Sequence, residues 1–147
     1  MKLVDTFNYP SSSRADIDGL RHYDINGEAQ KLPSVTTVLA QTKDKKDKES
    51  IERWKQKVGE ERAEEIRNEA AARGTAMHKY LEDFIRGQRS LDLTTTGQEA
   101  QKMAEIIMEK GLNDCSNVYG VEATLYYPGL YAGSCDLIAS YNGKLAI

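Results

Sequence analysis

Residues 118–147, VYGVEATLYYPGLYAGSCDLIASYNGKLAI, are the stretch that decides the fold. They are rich in the β-branched and aromatic residues that strands favour. Pro128-Gly129 and Asn142-Gly143 divide the stretch into three segments, because both dipeptides are typical of turns. The stretch therefore predicts an antiparallel β-meander.

The turn at Asn142-Gly143 also sets the register of the last hairpin. In a two-residue turn of this type the flanking residues face each other, so Tyr141 lies opposite Lys144. Counting outward places Asp136 opposite position 149, which lies beyond the 147 residues. A carboxylate in mid-strand is costly to bury unless it is paired, hydrogen-bonded or bound to a metal. We therefore expect Asp136 to be a site residue, and the chain to be truncated before the strand that completes the site.

Glu122 lies on the preceding strand, and its position depends on the connection at Pro128-Gly129. With three loop residues Glu122 faces Asp136 across the hairpin. With two loop residues it faces Cys135 and the other side of the sheet. Both alternatives are open from the sequence, so Glu122 is an additional candidate for the site.

The first segment, residues 1–41, contains a hairpin and a short helix. The hairpin is expected in residues 21–32, RHYDINGEAQKL, where Asn26-Gly27 predicts a type I′ turn. Ser34 follows Pro33 and is placed to cap a helix, its hydroxyl accepting from a backbone N–H one turn on.

The second segment, residues 42–111, is helical in character. From Ser50 to Arg86, Gly59 and Gly74 are expected to separate three helical pieces, and Gly87 to end the last one. That last piece carries an apolar stripe of Met77, Leu81, Phe84 and Ile85. Thr96-Gly97-Gln98-Glu99 has the form of a capping box and predicts a scaffold helix that stops at Gly111.

Composition favours a single domain that works inside a cell. The 147 residues are 39% hydrophobic, and no apolar run approaches the roughly 20 residues of a membrane helix. Because the N-terminus lacks the pattern of a secretory signal, we expect a cytoplasmic protein that does not bind membranes. Cys115 and Cys135 are too few and too far apart for a zinc or redox motif, so both are interpreted as free thiols.

The net charge of −3 gives no overall attraction to nucleic acid. DNA binding would therefore need a local basic patch or metal ions that bridge to phosphate. The best local patch is residues 42–57, TKDKKDKESIERWKQK. The alternative interpretation of this segment is a solvated loop that leads into a helix.

Three pieces of the chain together resemble a known family. They are LPSVTTVL at residues 32–39, ARGTAMHKYLE at 72–82, and the stretch that begins EATLYY at 122. In this order and spacing they resemble the RecB-like branch of the PD-(D/E)XK nucleases, particularly phage exonucleases related to the mitochondrial genome maintenance exonuclease. The resemblance covers most of the chain from Arg21 onward. With the pattern above, it implies an α/β (α+β) fold, a helical N-terminal part followed by an antiparallel β-meander, as part of a restriction-endonuclease-like core.

The resemblance also implies a metal site. His78 stands at the histidine of the family's RGTxxH segment and Asp136 at the aspartate of its GxxD strand, and both would bind Mg²⁺ or Mn²⁺. The family's acid-x-Lys triplet would fall at positions 149–151, where the hairpin register also pointed. The implied activity is hydrolysis of phosphodiester bonds in DNA, at single strands or ends, with the 147-residue chain itself inactive.

Other residues are candidates with open alternatives. Glu82 lies four residues after His78 and so shares its helix face, although pairing with Lys79 or Arg86 competes. The candidate DNA contacts are Arg73, Ser34, Thr36, Thr37, Trp54 and Lys55. Guanidinium groups and hydroxyls position a nucleic-acid backbone, and Trp54 can stack on a base. Capping or solvent exposure explains the hydroxyls equally well, and a lone Trp is more often a packing anchor.

A second functional hypothesis is a DNA-binding or protein-interaction module that retains the nuclease scaffold without the chemistry. The terminal strand KLAI, residues 144–147, presents an apolar edge. Such an edge favours self-association by edge pairing between copies.

Overall fold

The computed structural model describes all of residues 1–147. The four helices are α1 (Val35–Thr42), α2 (Lys45–Val58), α3 (Glu60–Ile85) and α4 (Thr95–Lys110). The seven strands are β1 (Lys2–Leu3), β2 (Ser12–Ile17), β3 (Leu20–Ile25), β4 (Leu32–Pro33), β5 (Cys115–Tyr127), β6 (Tyr131–Tyr141) and β7 (Lys144–Ala146). None of the helices combines the length and apolar character that a membrane crossing needs.

The fold is α+β, as expected, but strands lie at both ends of the chain rather than only after the helices. The main sheet has the order β1-β5-β6-β7, in which β1 joins β5 in parallel and the other pairs are antiparallel. The second sheet, β2-β3-β4, comes from the N-terminal segment. The expectation of a helical N-terminal part followed by a meander was therefore too simple.

The N-terminal hairpin differs from the prediction in its turn. Asp18-Gly19 joins β2 to β3 with φ values of 53° and 75°, and Ile17 pairs with Leu20, as in a type I′ turn. At Asn26-Gly27 only the glycine has positive φ, 97°. Because the chain takes a longer path there before β4 pairs with β3, the type I′ prediction at this site was wrong.

The helix boundaries were predicted in part. Gly59, at φ 87°, does separate α2 from α3, and α3 ends as expected before Gly87. Gly74 does not interrupt α3, because an interior glycine costs a helix only about 1 kcal/mol and packing can offset that cost. The N-cap of α4 is Thr94 rather than Thr96.

The position of that cap follows from three hydrogen bonds. The Asp92 carboxylate accepts from both the N–H and the hydroxyl of Thr94, at 3.0 and 2.7 Å. Thr94 in turn accepts from the N–H of Gly97 at 3.0 Å. The predicted end of α4 at Gly111 is confirmed.

Two small apolar clusters hold the elements together. Tyr23, Ile25 and Leu32 of the small sheet pack with Ala132 of β6. Tyr80 of α3 packs with Ala100 and Ala104 of α4, and the helix-face residues Ala76, Met77, Leu81 and Met108 surround them. Phe84, a member of the predicted apolar stripe, is 47% exposed and is not part of this cluster.

The register of the main sheet confirms the prediction from Asn142-Gly143. Tyr141 pairs with Lys144, and Ala139 pairs with Ala146. Asn142 and Gly143 have the positive φ values, 48° and 76°, that a type I′ turn requires. Because β7 pairs only with the last residues of β6, the edge of β6 at Asp136 has no strand beside it.

Candidate metal-binding site

The β5–β6 hairpin brings Glu122 opposite Asp136. The pairs Val121–Leu137 and Ala123–Cys135 flank this position on either side. Tyr127 pairs with Tyr131, so the turn contains three residues and the first of the two alternatives for Glu122 is the one observed. Two carboxylates therefore share one position of the ladder.

Glu122 has an unusual backbone conformation for a strand residue. Its φ is 52°, in the left-handed region, which costs a residue with a side chain about 1–2 kcal/mol. Such conformations persist where the surrounding structure imposes them, and they cluster at functional sites. The Ser134 hydroxyl donates a hydrogen bond to Glu122 Oε2 at 3.0 Å and helps to orient that carboxylate.

Helix α3 supplies the third member of the site. His78 Nδ1 lies 3.3 Å from Asp136 Oδ1. The helix is held in place by Tyr80, which buries itself against α4 and leaves His78 on the side that faces the sheet hairpin. The side chains of His78 and Asp136 are 45% and 68% exposed, so both are open to an incoming ligand.

The three side chains fit a divalent cation. One ligand atom from each of His78, Glu122 and Asp136 lies within 4.8 Å of the other two. Ligand atoms around an octahedral ion with bonds of about 2.1 Å are separated by about 3 to 4 Å, so only small side-chain movements are needed. Two carboxylates and one imidazole suit Mn²⁺, or Mg²⁺ with most positions filled by oxygen.

Glu82 pairs with Arg86, which was the alternative to a role in metal binding. Its carboxylate accepts from Arg86 Nε at 3.0 Å, and Arg86 also donates to the carbonyl oxygen of Val121 at 3.3 Å. Glu82 lines the same cleft as the three ligand candidates but lies outside their group. It therefore ties α3 to β5 through Arg86.

Lys79 lines the same cleft and is paired with Asp83. Its ammonium lies 2.5 Å from Oδ1 of Asp83, which is only 5% exposed. That hydrogen bond lowers the pKa of the Asp83 carboxyl and raises the pKa of Lys79, against the opposing effect of burial in each case. The only lysine beside His78 on the helix is thus occupied.

A cleft of about 950 Å³ surrounds the three ligand candidates. The small sheet, the start of α1, the middle of α3 and the β5–β6 hairpin line it. Ser34 and Thr36 are among the lining residues. Ser34 also caps α1, since its hydroxyl accepts from the Thr37 N–H at 3.0 Å.

The other predicted DNA contacts lie away from the lining of this cleft. Thr37 directs its hydroxyl to the carbonyl oxygen of Arg21 at 2.9 Å. Arg73 forms an ion pair with Glu99 of α4 at 3.3 Å. Trp54, 40% exposed, and Lys55 lie on α2, so the basic segment does not adjoin the metal ligands.

Sequence reasoning missed five residues of the cleft. They are Arg14, Arg21, Tyr126, Tyr127 and Tyr131. The arginines lie on β2 and β3, and the turn signal Asp18-Gly19 was available to reveal that hairpin. The tyrosines flank the Pro128-Gly129 turn, where exposed aromatic residues indicate a binding surface.

Cys135 lies in the cleft next to Asp136 and remains a thiol. Burial is the main cause that raises its pKa, and the neighbouring Asp136 and Glu122 carboxylates add to the effect. Its Sγ also lies 3.3 Å from the carbonyl oxygen of Leu137. Both cysteines are free, as the sequence predicted.

Comparison with known proteins finds distant relatives. The chain is 31% identical over 122 residues to mitochondrial genome maintenance exonuclease 1 of Mus musculus, and 31% identical over 121 residues to the Homo sapiens protein of the same name. The Xenopus tropicalis protein is 28% identical over 136 residues. The matches cover 79 to 86% of this chain but 35 to 37% of the relatives, so the chain spans about a third of their length. No family model matches the chain.

Proposed function

We propose that this chain carries part of the active site of a metal-dependent exonuclease of the PD-(D/E)XK type, acting on single strands or ends of DNA. The observation that carries the proposal is the convergence of His78, Glu122 and Asp136 from a helix and two strands. His78 and Asp136 also stand at the positions of the family's RGTxxH and GxxD motifs. Exonuclease activity is named for the relatives, and the similarity extends over most of this chain.

The chemistry requires the chain to hold a cation near a phosphodiester bond. A bound Mg²⁺ or Mn²⁺ would supply charge for the developing phosphorane-like transition state and lower the pKa of the attacking water. The carboxylates of Glu122 and Asp136 and the imidazole of His78 would hold the cation, and the Ser134 hydroxyl orients Glu122. The hydroxyl of Thr36, at the start of α1, lies along the cleft where a DNA backbone would pass.

We expect little cleavage from the 147-residue chain by itself. Lys79 is the only lysine that lines the cleft, and its ammonium is bound to Asp83. In the proposed family a lysine of the acid-x-Lys triplet orients the water and stabilises the transition state.

Manganese binding tests the proposal directly. We expect electron paramagnetic resonance titration to show one Mn²⁺ site in the 147-residue chain. His78→Ala, Glu122→Gln and Asp136→Ala should each weaken it by about tenfold or more, as loss of a ligand does at metal sites. Glu52→Gln is the matched control, because Glu52 is an exposed acid on α2, away from the site. Equal affinity in all five proteins would refute the proposed site.

A non-catalytic DNA-binding module is the second candidate, and it is favoured by the pairing of Lys79, the only lysine that lines the cleft, with Asp83. End-labelled single-stranded and double-stranded DNA, with Mn²⁺ or Mg²⁺, separates the two functions. Slow cleavage that disappears in Asp136→Ala supports the enzyme. DNA binding without cleavage and without any Mn²⁺ site supports the module.

A further inference from the structure

We propose that Tyr127 and Tyr131 form a stacking platform for nucleobases, and that Arg14 and Arg21 hold the adjoining phosphates. The platform would bind an unpaired strand that leads into the group of His78, Glu122 and Asp136, hereafter the metal-ligand group. This inference rests on the proposed function, because it assigns how the same cleft receives its substrate.

The two tyrosines offer open aromatic faces inside the cleft. Their ring centroids are 6.0 Å apart and the ring planes are inclined by 33°. Tyr127 is 57% exposed and Tyr131 is 40% exposed, although both line the cleft. Stacking on such rings is tolerant of sequence, because every base has a π-face.

A hydrogen bond ties the hairpin tip beside the two tyrosines to the loop between β3 and β4. The Gly129 N–H at the tip of the hairpin donates to a Glu28 carboxylate oxygen at 3.0 Å, and the Leu130 N–H donates to the Tyr127 carbonyl at 3.1 Å. Beside the tip, Ala132 is completely buried in the apolar cluster formed with the small sheet. A preorganised platform loses less conformational entropy when a base stacks on it.

The two arginines supply positive charge that the protein does not neutralise. Arg14 and Arg21 line the cleft, and neither has a carboxylate within the 4.0 Å of an ion pair. The carbonyl oxygen of Arg21 accepts from the Ser34 N–H and the Thr37 hydroxyl, both at 2.9 Å. These bonds fix the Arg21 backbone beside the start of α1. Guanidinium groups placed in this way position phosphates without reading sequence.

The cleft carries side chains of both charges. Without a bound cation, Glu122 and Asp136 repel phosphates, and Arg14 and Arg21 attract them. Metal-free binding should therefore depend on the arginines and tyrosines rather than on the metal-ligand group. Paired bases cannot lie flat on the tyrosines, so a preference for single strands would originate at this platform.

Binding of fluorescent 20-nucleotide strands in the presence of EDTA tests the platform. We expect Tyr127→Leu combined with Tyr131→Leu to weaken binding of oligothymidine by about tenfold, the effect of losing one stacked base. An abasic strand of the same length should bind both proteins equally. The double phenylalanine variant keeps the aromatic faces and should retain normal affinity. Tyr141→Leu is the control, because Tyr141 is 41% exposed at the far end of β6.

Salt dependence tests the arginines separately. Each phosphate contact contributes about 0.7 to the slope of log affinity against log salt for single strands, so Arg14→Ala with Arg21→Ala should lower the slope by about 1.4. The loss should be equal for oligothymidine and the abasic strand. Arg89→Ala serves as the control, because Arg89 is exposed outside the cleft.

The outcomes distinguish this inference from the proposed function. Unchanged oligothymidine affinity in the double leucine variant, or an equal loss for the abasic strand, would overturn the platform even if Mn²⁺ still binds. Metal-free binding of DNA that survives Asp136→Ala supports the platform, because that variant alters the metal-ligand group and leaves the tyrosines and arginines unchanged. Failure of the unaltered chain to bind either strand also overturns it.

Discussion

Helix α3 presents two faces that are built in opposite ways. On the face toward α4, Tyr80 is 7% exposed and the small residues Ala100 and Ala104 are completely buried. On the face toward the β5–β6 hairpin, His78 is 45% exposed and meets the 68% exposed Asp136. The first face contributes stability through close packing. The second leaves polar atoms open to a ligand, so stability and binding should be separable by substitution.

The largest effect we expect is stabilisation of the folded chain by a cation bound at His78, Glu122 and Asp136. A cation that binds only the folded chain stabilises it by about 2.7 kcal/mol when its concentration is a hundred times its dissociation constant. Chemical denaturation with and without Mn²⁺ measures this gain. Asp136→Ala should lose it, whereas Ala104→Leu should keep it. A gain that is the same in Asp136→Ala would mean that the cation binds elsewhere.

Overpacking the other face should produce the next largest effect. Ala104→Leu adds three carbons where no space is open, which typically costs about 1–3 kcal/mol. Urea denaturation should show this loss, with Mn²⁺ affinity unchanged. Ala72→Leu is the matched control, because Ala72 is exposed on the same helix α3 and should change stability little. A loss of metal affinity in Ala104→Leu would show that the two faces are coupled.

Glu122 should show a smaller effect, with stability and binding changing in opposite directions. Glu122→Gly relieves the left-handed backbone at φ 52° and should raise the free energy of unfolding by about 1 kcal/mol. It also removes a ligand and should weaken Mn²⁺ binding. Glu122→Gln loses the ligand charge but keeps the strained backbone, so it should show the weaker binding without that gain. Equal stability of the two variants would contradict a strained Glu122.

The smallest effect should be a pH dependence on the packing side of α3. The Lys79 ammonium holds the pKa of the Asp83 carboxyl below its ordinary value. Because the folded pKa is lower than the unfolded one, this contribution is complete above about pH 4 and is lost as the pH falls through the folded pKa. Denaturation between pH 2 and 6 should show a shallower acid loss in Asp83→Asn than in Asp114→Asn. Identical curves for the two variants would show that Asp83 does not contribute to the loss of stability in acid.

The sequence predicted best where a short local rule was sufficient. The Asn142-Gly143 turn determined the β6–β7 register, and Ser34 was correctly identified as a cap. Asn26-Gly27 failed as a type I′ turn because the chain there does not make a two-residue connection. Thr96 failed as a cap because Asp92, outside the capping motif, fixed Thr94 instead.

For the candidate site, the sequence predicted which residues could bind a metal but not where all of them lie. His78 and Asp136 were selected from motifs, but the sequence left Glu122 open between two faces of the sheet. The three-residue turn and the positive φ of Glu122 place it with the other two. A tertiary contact with Glu99 occupies Arg73, whereas Glu82 pairs locally with Arg86, one turn along the same helix, as the sequence had left open.

What the sequence determined alone were the boundary between α2 and α3 at Gly59, the end of α4 at Gly111 and the last hairpin. These depend on interactions between residues close along the chain. Only the tertiary structure decided that Arg14 and Arg21 share a cleft with Tyr127 and Tyr131, more than 100 residues away. That juxtaposition depends on the apolar cluster of Tyr23, Ile25, Leu32 and Ala132, which docks the small sheet on β6. Because apolar burial is non-directional, sequence spacing carries no record of which surfaces it joins.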